Sequence, residues 1–597
     1  MPRRKKGLTS ELDIILEGVT FTYEGSKRTA INNIDLNVRK GEKVLITGPS
    51  GSGKTTVCRL LDGLIPHFFY GDLKGKVVVK SMHTQSQTIP VLSSRVGLVF
   101  QNPEEQLVCP TVADEIAFGP ENLCIPREEI VNRVEEGLSL ARLEKYADAN
   151  PFTLSGGQQQ SLCVASVFAM RPDILVLDEP TANLDSVGTR LVHSMMARLM
   201  ETEKKTLVIV SHNLSELAPL VDRIVVLHNG EKILDGEPVE VFAEAGHLHE
   251  IGLAPPQISR LALLLRESGI DIIGGGYPPI TLEDARDRMA PLLKGTASKA
   301  ATREVASSVH NMQKKETPSR PPIIEVQHLS HTYEGTAVEA VRDLSLTICK
   351  GAFVGIIGQN GSGKSTLVKH FNGLLLPSRG KVFVEGVDTT AASISELARM
   401  VGFCFQNPDH QMVAFKVRDE IGYGPKNLGL PKDEVAKRTL DALNEVGMAW
   451  AIDEYINDLS QGERQKLAVA SVLAMQPQIL IVDEPTTGQD PATSVKEFEL
   501  LKDLNRKGST IIIVSHNLDL VGRFVDRVIV MKDGLILYDG DPRGAFSNPK
   551  MLEETSCEPP EITRFGQMLR EYGIPGDILT IEEMNDILLS KLGQGGR

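Results

Sequence analysis

Val44-Leu45-Ile46-Thr47-Gly48-Pro49-Ser50-Gly51-Ser52-Gly53-Lys54-Thr55-Thr56 is the stretch whose reading decides the fold. A short run rich in β-favouring residues stops at glycines that open a helix, so it reads as a buried strand delivering a loop. The spacing GxxxxGK[ST] is the phosphate-cradling P-loop. Glycines let successive backbone N–H groups turn toward a polyphosphate, and the following helix adds the positive end of its dipole. Lys54 can reach the β- and γ-phosphates, and the Thr55 hydroxyl can ligate Mg²⁺. Gly358-Gln359-Asn360-Gly361-Ser362-Gly363-Lys364-Ser365-Thr366 repeats the pattern, which removes chance as its explanation. Two polyphosphate sites are therefore predicted. One is built from Gly48, Ser50, Gly51, Gly53, Lys54, Thr55 and Thr56, the other from Gly358, Asn360, Gly361, Gly363, Lys364, Ser365 and Thr366.

A chain of 597 residues is too long for one core and suits several domains. Lys and Arg number 64 against 78 Asp and Glu, a net charge of −14, so the molecule as a whole is not built to bind nucleic acid. The seven cysteines form no CxxC pair, which suggests neither a metal knuckle nor a disulfide framework, only small packing residues in a reducing cytosol. No apolar run approaches the ~18 residues of a transmembrane helix. Arg3-Arg4-Lys5-Lys6 is basic but is followed by interrupting acids, so it reads as a solvated tail rather than a signal peptide.

Outward from the P-loops the chain is a tandem repeat. Tyr23 and Tyr333, like Lys54 and Lys364, stand 310 apart; Gln101 and Gln406, Ser155 and Ser460, and Asp178 and Asp483 stand 305 apart. The change of five places a short insertion in the first half, near Pro66-His67-Phe68-Phe69-Tyr70. The tails repeat as well: Pro255-Pro256-Gln257-Ile258-Ser259-Arg260 mirrors Pro559-Pro560-Glu561-Ile562-Thr563-Arg564, each opening an amphipathic helix. Continuous apolar runs indicate a parallel sheet covered on both faces. Two of these runs end in Asp178-Glu179 and Asp483-Glu484, and ligands of open α/β sheets bind beyond such strand ends. The first acid of each pair suits Mg²⁺ and the second can polarise an attacking water.

Leu154-Ser155-Gly156-Gly157-Gln158 and Leu459-Ser460-Gln461-Gly462-Glu463 each precede a helical pattern, where a Ser N-cap and a glycine-rich first turn make an anion site. This pentapeptide resembles the signature of ATP-binding cassette (ABC) ATPases, and the surrounding motifs match that family over nearly the whole chain. The resemblance implies that Tyr23 and Tyr333 stack adenine, and that Gln101 and Gln406 read Mg²⁺ and the γ-phosphate. It implies that Asp178 and Asp483 bind the metal with Thr55 and Ser365, that Glu179 and Glu484 are catalytic, and that His212 and His516 are switch histidines. Leu184-Asp185 and Gln489-Asp490 match its D-loop. In this family two cassettes pair head to tail. One ATP would then lie among Lys54, Asp178, Glu179 and His212 with Ser460 and Gly462, and the other among Lys364, Asp483, Glu484 and His516 with Ser155 and Gly157. Both sets are complete, although Gln461 replaces the usual Gly in one signature.

A narrower resemblance follows the glutamines. Gln101-Asn102-Pro103-Glu104-Glu105-Gln106 continues to Phe118-Gly119-Pro120, and Gln406-Asn407-Pro408-Asp409-His410-Gln411 continues to Gly424-Pro425. With the tails, these are similar to the ATPases of energy-coupling factor (cobalt, biotin and thiamine-type) importers. That resemblance implies ATP and Mg²⁺ as cofactors, separate membrane-embedded coupling and substrate-binding subunits as partners, and work at the cytoplasmic face of the cell membrane. The apolar groups Leu107, Val108, Phe118, Met412, Val413 and Tyr423 would line the groove that receives the membrane partner. The alternatives are a soluble tandem cassette protein acting on ribosomes or nucleic acid, and an ATPase of another importer subtype. The expected architecture is α/β, two tandem P-loop cassettes, each with a parallel-sheet core, a helical subdomain and a short C-terminal helical extension. The boundaries are 1–240 and 241–294 for the first cassette and its extension, 295–321 for a linker, and 322–541 and 542–597 for the second pair.

Overall fold

In the computed structural model, the stretch quoted first folds as the strand Lys43–Thr47, and its repeat as Phe353–Ile357. The structure describes residues 12–182, 184–202, 205–294, 320–335, 338–486 and 489–593; the basic cluster at 3–6 and nearly all of the expected linker lie outside them. Two compact units divide the chain. One is drawn from Met1–Leu263 and Ile273–Thr281, the other from Leu264–Ile272 and Leu282–Arg597.

In the first unit a six-stranded sheet runs in the order Glu231–Gly236, Arg223–His228, Lys43–Thr47, Thr206–Val210, Ile174–Asp178, Val96–Val99. All neighbours are parallel except the first two, which form an antiparallel edge. The second unit repeats the sheet as Leu535–Gly540, Arg527–Lys532, Phe353–Ile357, Thr510–Val514, Ile479–Asp483, Val401–Cys404. Because side chains alternate across a strand, Val44 and Ile46 enter one core and Leu45 another. Burying each such side chain contributes about 1.5–3 kcal/mol. On the Val44 side, a four-stranded antiparallel sheet (Ile31–Arg39, Leu12–Tyr23, Gly71–Val79, Met82–His83) covers the P-loop helix Lys54–Leu61; the sequence reading did not anticipate this second sheet. On the Leu45 side lie Val112–Asn122, Arg127–Ala141 and Gly156–Ala169, the expected helical subdomain. The second unit holds the matching sheet and the matching helices Val417–Asn427, Lys432–Glu445 and Gln461–Leu473.

The tail helix Leu282–Lys294 belongs to the second unit, where it packs against the helices Glu561–Met568 and Ile581–Gly593. No described helix is long and apolar enough to cross a membrane.

Candidate nucleotide sites

Each P-loop opens its helix through a glycine whose backbone only glycine adopts without strain: Gly53 has φ 100° and Gly363 φ 96°. A Cβ there would also meet the carbonyl oxygen of Ala30 at 2.6 Å or of Ala340 at 2.3 Å. The lysine that follows is buried and folded along its own loop. Lys54 Nζ donates to the carbonyls of Gly48 and Pro49 at 2.8 and 3.0 Å, and Lys364 Nζ to those of Gly358 and Gln359 at 2.8 and 2.7 Å. Tyr23 and Tyr333 stand beside the same helices, their hydroxyls 3.1 and 3.0 Å from Thr56 and Thr366 Oγ1.

The acid pairs sit at the carboxyl ends of Ile174–Asp178 and Ile479–Asp483, as expected. Burial pushes the Asp178 carboxyl up, opposed by a hydrogen bond from Thr55 and by the charge of Lys54. Asp483 is raised the same way, with Ser365 Oγ donating to its Oδ1 at 3.3 Å. Asp178 Oδ1 is buried without a hydrogen-bond partner. A hydroxyl, a buried aspartate and an orphaned carboxylate oxygen form a hard-oxygen donor set that fits Mg²⁺.

Glu179 and Glu484 both adopt left-handed backbone, φ 48° and 53°, a conformation that costs a non-glycine residue about 1 kcal/mol. Their amides are held by Val210 and Val514 carbonyls at 2.8 and 2.9 Å, and the turn delivers each carboxylate to a histidine. Glu179 Oε2 accepts from the His212 amide at 3.3 Å, and its Oε1 lies 3.3 Å from His212 Nε2, unaligned for a hydrogen bond. Glu484 meets His516 identically at 3.2 Å, and His516 Nε2 also contacts Asn360 Oδ1 of the P-loop at 2.9 Å. Burial raises both glutamates, Glu179 to about 7.

Each cassette thus brings its loop, tyrosine, acid pair and histidine into one cluster. The signature residues belong to the helical subdomain. Ser155 caps Gly156–Ala169 and Ser460 caps Gln461–Leu473 through capping boxes. Gly157 lies so close to Gly188 that a Cβ would meet its Cα at 2.7 Å, whereas Gly462 faces the Thr493 methyl at 3.7 Å. Asp185 and Asp490 cap the next helix through the amides of Gly188 and Thr493, each at 2.8 Å.

Gln101 is partly buried and Gln406 exposed, each following its edge strand. Their loops are shaped by residues to which the sequence reading gave no role. Buried Glu115 accepts from the amides of Val108 and Cys109, and buried Glu420 from those of Val413 and Ala414, all at 2.8–2.9 Å. Gln106 and Gln411 accept from the amides of Phe100 and Phe405. The signal was available, since both pairs repeat at the same 305-residue offset. Leu107 corrects the groove expectation: it is 4% exposed within the core and lines no surface. Val108, Phe118, Val413, Phe415 and Tyr423 do stand exposed.

Comparison with known proteins places the chain in a family. The sequence profile of the family described as ABC transporter matches residues 31–182 and 341–487. A provisionally named ABC transporter ATP-binding protein of Methanosarcina mazei is 38% identical, over 96% of this chain and 96% of its own. A Bacillus subtilis protein provisionally named HMP/thiamine import ATP-binding protein YkoD is 32% identical over 89% of this chain and 92% of its own. Among solved structures, cbiO1 of Clostridium perfringens, part of the ABC transporter complex cbiONQ, is 34% identical and covers 40% of this chain and 97% of its own, with a TM-score of 0.36. With two cassettes on one polypeptide, the chain belongs to the ABC transporter family as a tandem ATP-binding protein.

Proposed function

We propose that this chain is the ATP-hydrolysing subunit of an importer of the energy-coupling factor type, working peripherally at the cytoplasmic face of the cell membrane with separate coupling and substrate-binding subunits. The observation that carries the reading is the doubled loop after the glutamines, pinned by Glu115 and Glu420 and presenting exposed Val108, Phe118, Val413, Phe415 and Tyr423. Apolar groups held out on a braced loop suit an amphipathic helix of a membrane partner. The likeness to YkoD, whose name concerns HMP/thiamine import, supports the same reading. The domain limits proposed from the repeat, 1–240 and 322–541 with tails 241–294 and 542–597, go with it.

Within each cassette, the P-loop amides and Lys54 or Lys364 bind the phosphates, and Tyr23 or Tyr333 receives the base. Thr55 with Asp178, and Ser365 with Asp483, would hold Mg²⁺, helped by Gln101 and Gln406; the ion, when bound, neutralises phosphate charge. Glu179 and Glu484 orient a water and take its proton, and His212 and His516 fix those carboxylates. Head-to-tail pairing, proposed from the family, would complete the first set with Ser460, Gly462 and Asp490 and the second with Ser155, Gly157 and Asp185.

Affinity purification from detergent-solubilised membranes tests the importer assignment. Recovery of a coupling subunit together with a small substrate-binding membrane protein is expected. Stable recovery of ribosomes instead would refute it.

A further inference from the structure

The two P-loop helices differ on the side that faces Tyr23 and Tyr333. In the first cassette five extra residues after Gly63 bring Phe69 back onto the helix. The Arg59 guanidinium lies over the Phe69 ring, 4.0 Å from its centroid, and its Nη1 donates to the Tyr23 hydroxyl at 3.2 Å. That hydroxyl also meets Thr56, two residues beyond the P-loop lysine. Phe21 and Phe69 stand edge-on to the Tyr23 ring at 4.8 and 6.4 Å. The insert is itself anchored: Leu64 N donates to Asp62 at 2.9 Å, His67 Nε2 bonds the Thr84 carbonyl at 2.8 Å, and Glu24 N donates to the Tyr70 carbonyl at 3.0 Å. In the second cassette Lys369 occupies the position of Arg59, and His331 stands edge-on to Tyr333 at 4.9 Å.

We propose that Arg59 and Phe69 are positioning residues that lock the Tyr23 ring for the base, so that the first cassette takes part of its ATP affinity from the base through this pair. A planar guanidinium can lie flat on one ring while donating in its own plane to another side chain; an ammonium such as that of Lys369 has no flat face and holds a ring less firmly. A ring already fixed loses no rotamer freedom when a base stacks on it. This inference rests on the proposed reading of Tyr23 as the base-receiving residue.

The test uses the full chain carrying Lys364→Ala, which silences the second P-loop, and titrates it with ATP and with inorganic tripolyphosphate, both with Mg²⁺. Arg59→Met and Phe69→Ala are each expected to weaken ATP binding by roughly threefold to tenfold. Tripolyphosphate affinity should stay within about twofold, because it uses the loop alone. Arg59→Lys keeps the charge near Asp178 and should fall between parent and Arg59→Met. The double variant should lose less than the product of the single losses, since both act through one ring. Unchanged ATP affinity in both single variants would overturn the inference. So would parallel losses for ATP and tripolyphosphate, which would mark a disturbed P-loop helix. Unchanged ATP affinity in Tyr23→Ala would show that the base gains nothing from this ring, and would overturn the reading of Tyr23 and this inference with it.

Discussion

The two cassettes share a fold and a set of reacting groups, and differ in what surrounds them. At the D-loop the first cassette packs Leu184 and buried Val192 into its core. The second has buried Gln489 and Glu497 at the same repeat positions, with Gln489 Nε2 donating to Glu497 Oε2 at 2.9 Å and to the Pro485 carbonyl at 3.0 Å. Behind the tyrosine, Phe21 and Leu60 give way to His331 and His370, whose rings share a 3.2 Å contact and whose burial pushes His370 down to about 4. At the signature, Gln158 gives way to Glu463. On the proposed reading, retaining the candidate groups while replacing their supports predicts two working sites with different rates and pH responses, rather than one site and a relic.

Charge-neutral replacement of the glutamates breaks that comparison most sharply. Glu179→Gln and Glu484→Gln together should abolish turnover, each site losing about a hundredfold or more with the base removed and the cradle intact. The single variants apportion turnover between the sites, since each leaves one base in place. As Glu179 is raised to about 7 and must be ionised to accept a proton, turnover in the Glu484→Gln variant should climb as pH rises through about 7. Steady-state phosphate release across pH checks both statements; a double variant with parental activity would remove the glutamates from the mechanism. A smaller loss, about tenfold to a hundredfold, is expected of Ser460→Arg, which puts a cation at the positive end of a helix and removes its cap. Nucleotide trapping with photo-crosslinking should report loss at the Lys54 loop. Loss confined to the Lys364 loop would refute head-to-tail pairing.

The candidate reacting groups were legible as a set because the spacing of the P-loop is dictated by phosphate chemistry and occurs twice. Their supports were not, because they depend on tertiary neighbours. Nothing in Asp178-Glu179 announces that the glutamate takes left-handed backbone, since that follows from its amide's bond to Val210 across the sheet. The antiparallel sheet hid behind irregular strands: Leu12–Tyr23 pairs through several register shifts, which blur a period of two. Leu107 and Val108 are adjacent and equally apolar, yet a loop turned by Glu115 buries one and exposes the other. Glu497 belongs to no motif, so its pairing with Gln489 of the D-loop required coordinates.

That exposed half of the loop gives the next test. Val108→Asp with Val413→Asp should keep basal ATP turnover within about twofold while weakening docking on partner-containing membranes by about thirtyfold, the scale of losing a buried anchor. Co-sedimentation measures the docking, and a double variant that docked normally would dismiss these loops as the contact. The D-loop pair sharpens the contrast in stability. Burial raises Glu497 to about 8, so between the ordinary carboxylate range and that pH the folded chain keeps a proton that the unfolded chain has released. Folded stability therefore declines as pH rises across that window and carries the full penalty above it. Gln489→Leu with Glu497→Val installs the first cassette's arrangement. It should gain on the order of 1–2 kcal/mol over the parent at pH 9 and less at pH 5, read from urea midpoints. An equal difference at both values would show that Glu497 does not titrate in this window.

The smallest expected effect lies at the fifth signature residue. Gln158 accepts from the Ser155 amide at 3.0 Å. Glu463 accepts from both the Ser460 amide and the Ser460 hydroxyl, each at 2.7 Å, so Ser460 spends its proton on its own cap. A carboxylate at a helix N-terminus is worth about 0.3–1 kcal/mol to the helix, but the same charge opposes a phosphate brought to that end. With pairing head to tail, this signature serves the site containing Glu179, so the comparison is made in the Glu484→Gln background. Glu463→Gln should release the Ser460 proton, remove one negative charge and raise turnover about twofold, at a cost of about 0.5 kcal/mol in stability. Gln158→Glu in the Glu179→Gln background should do the reverse at the other site. If both substitutions lowered turnover equally, the fifth residue would act only as a cap, and the asymmetry between the sites would rest on the D-loop and the tyrosine supports alone.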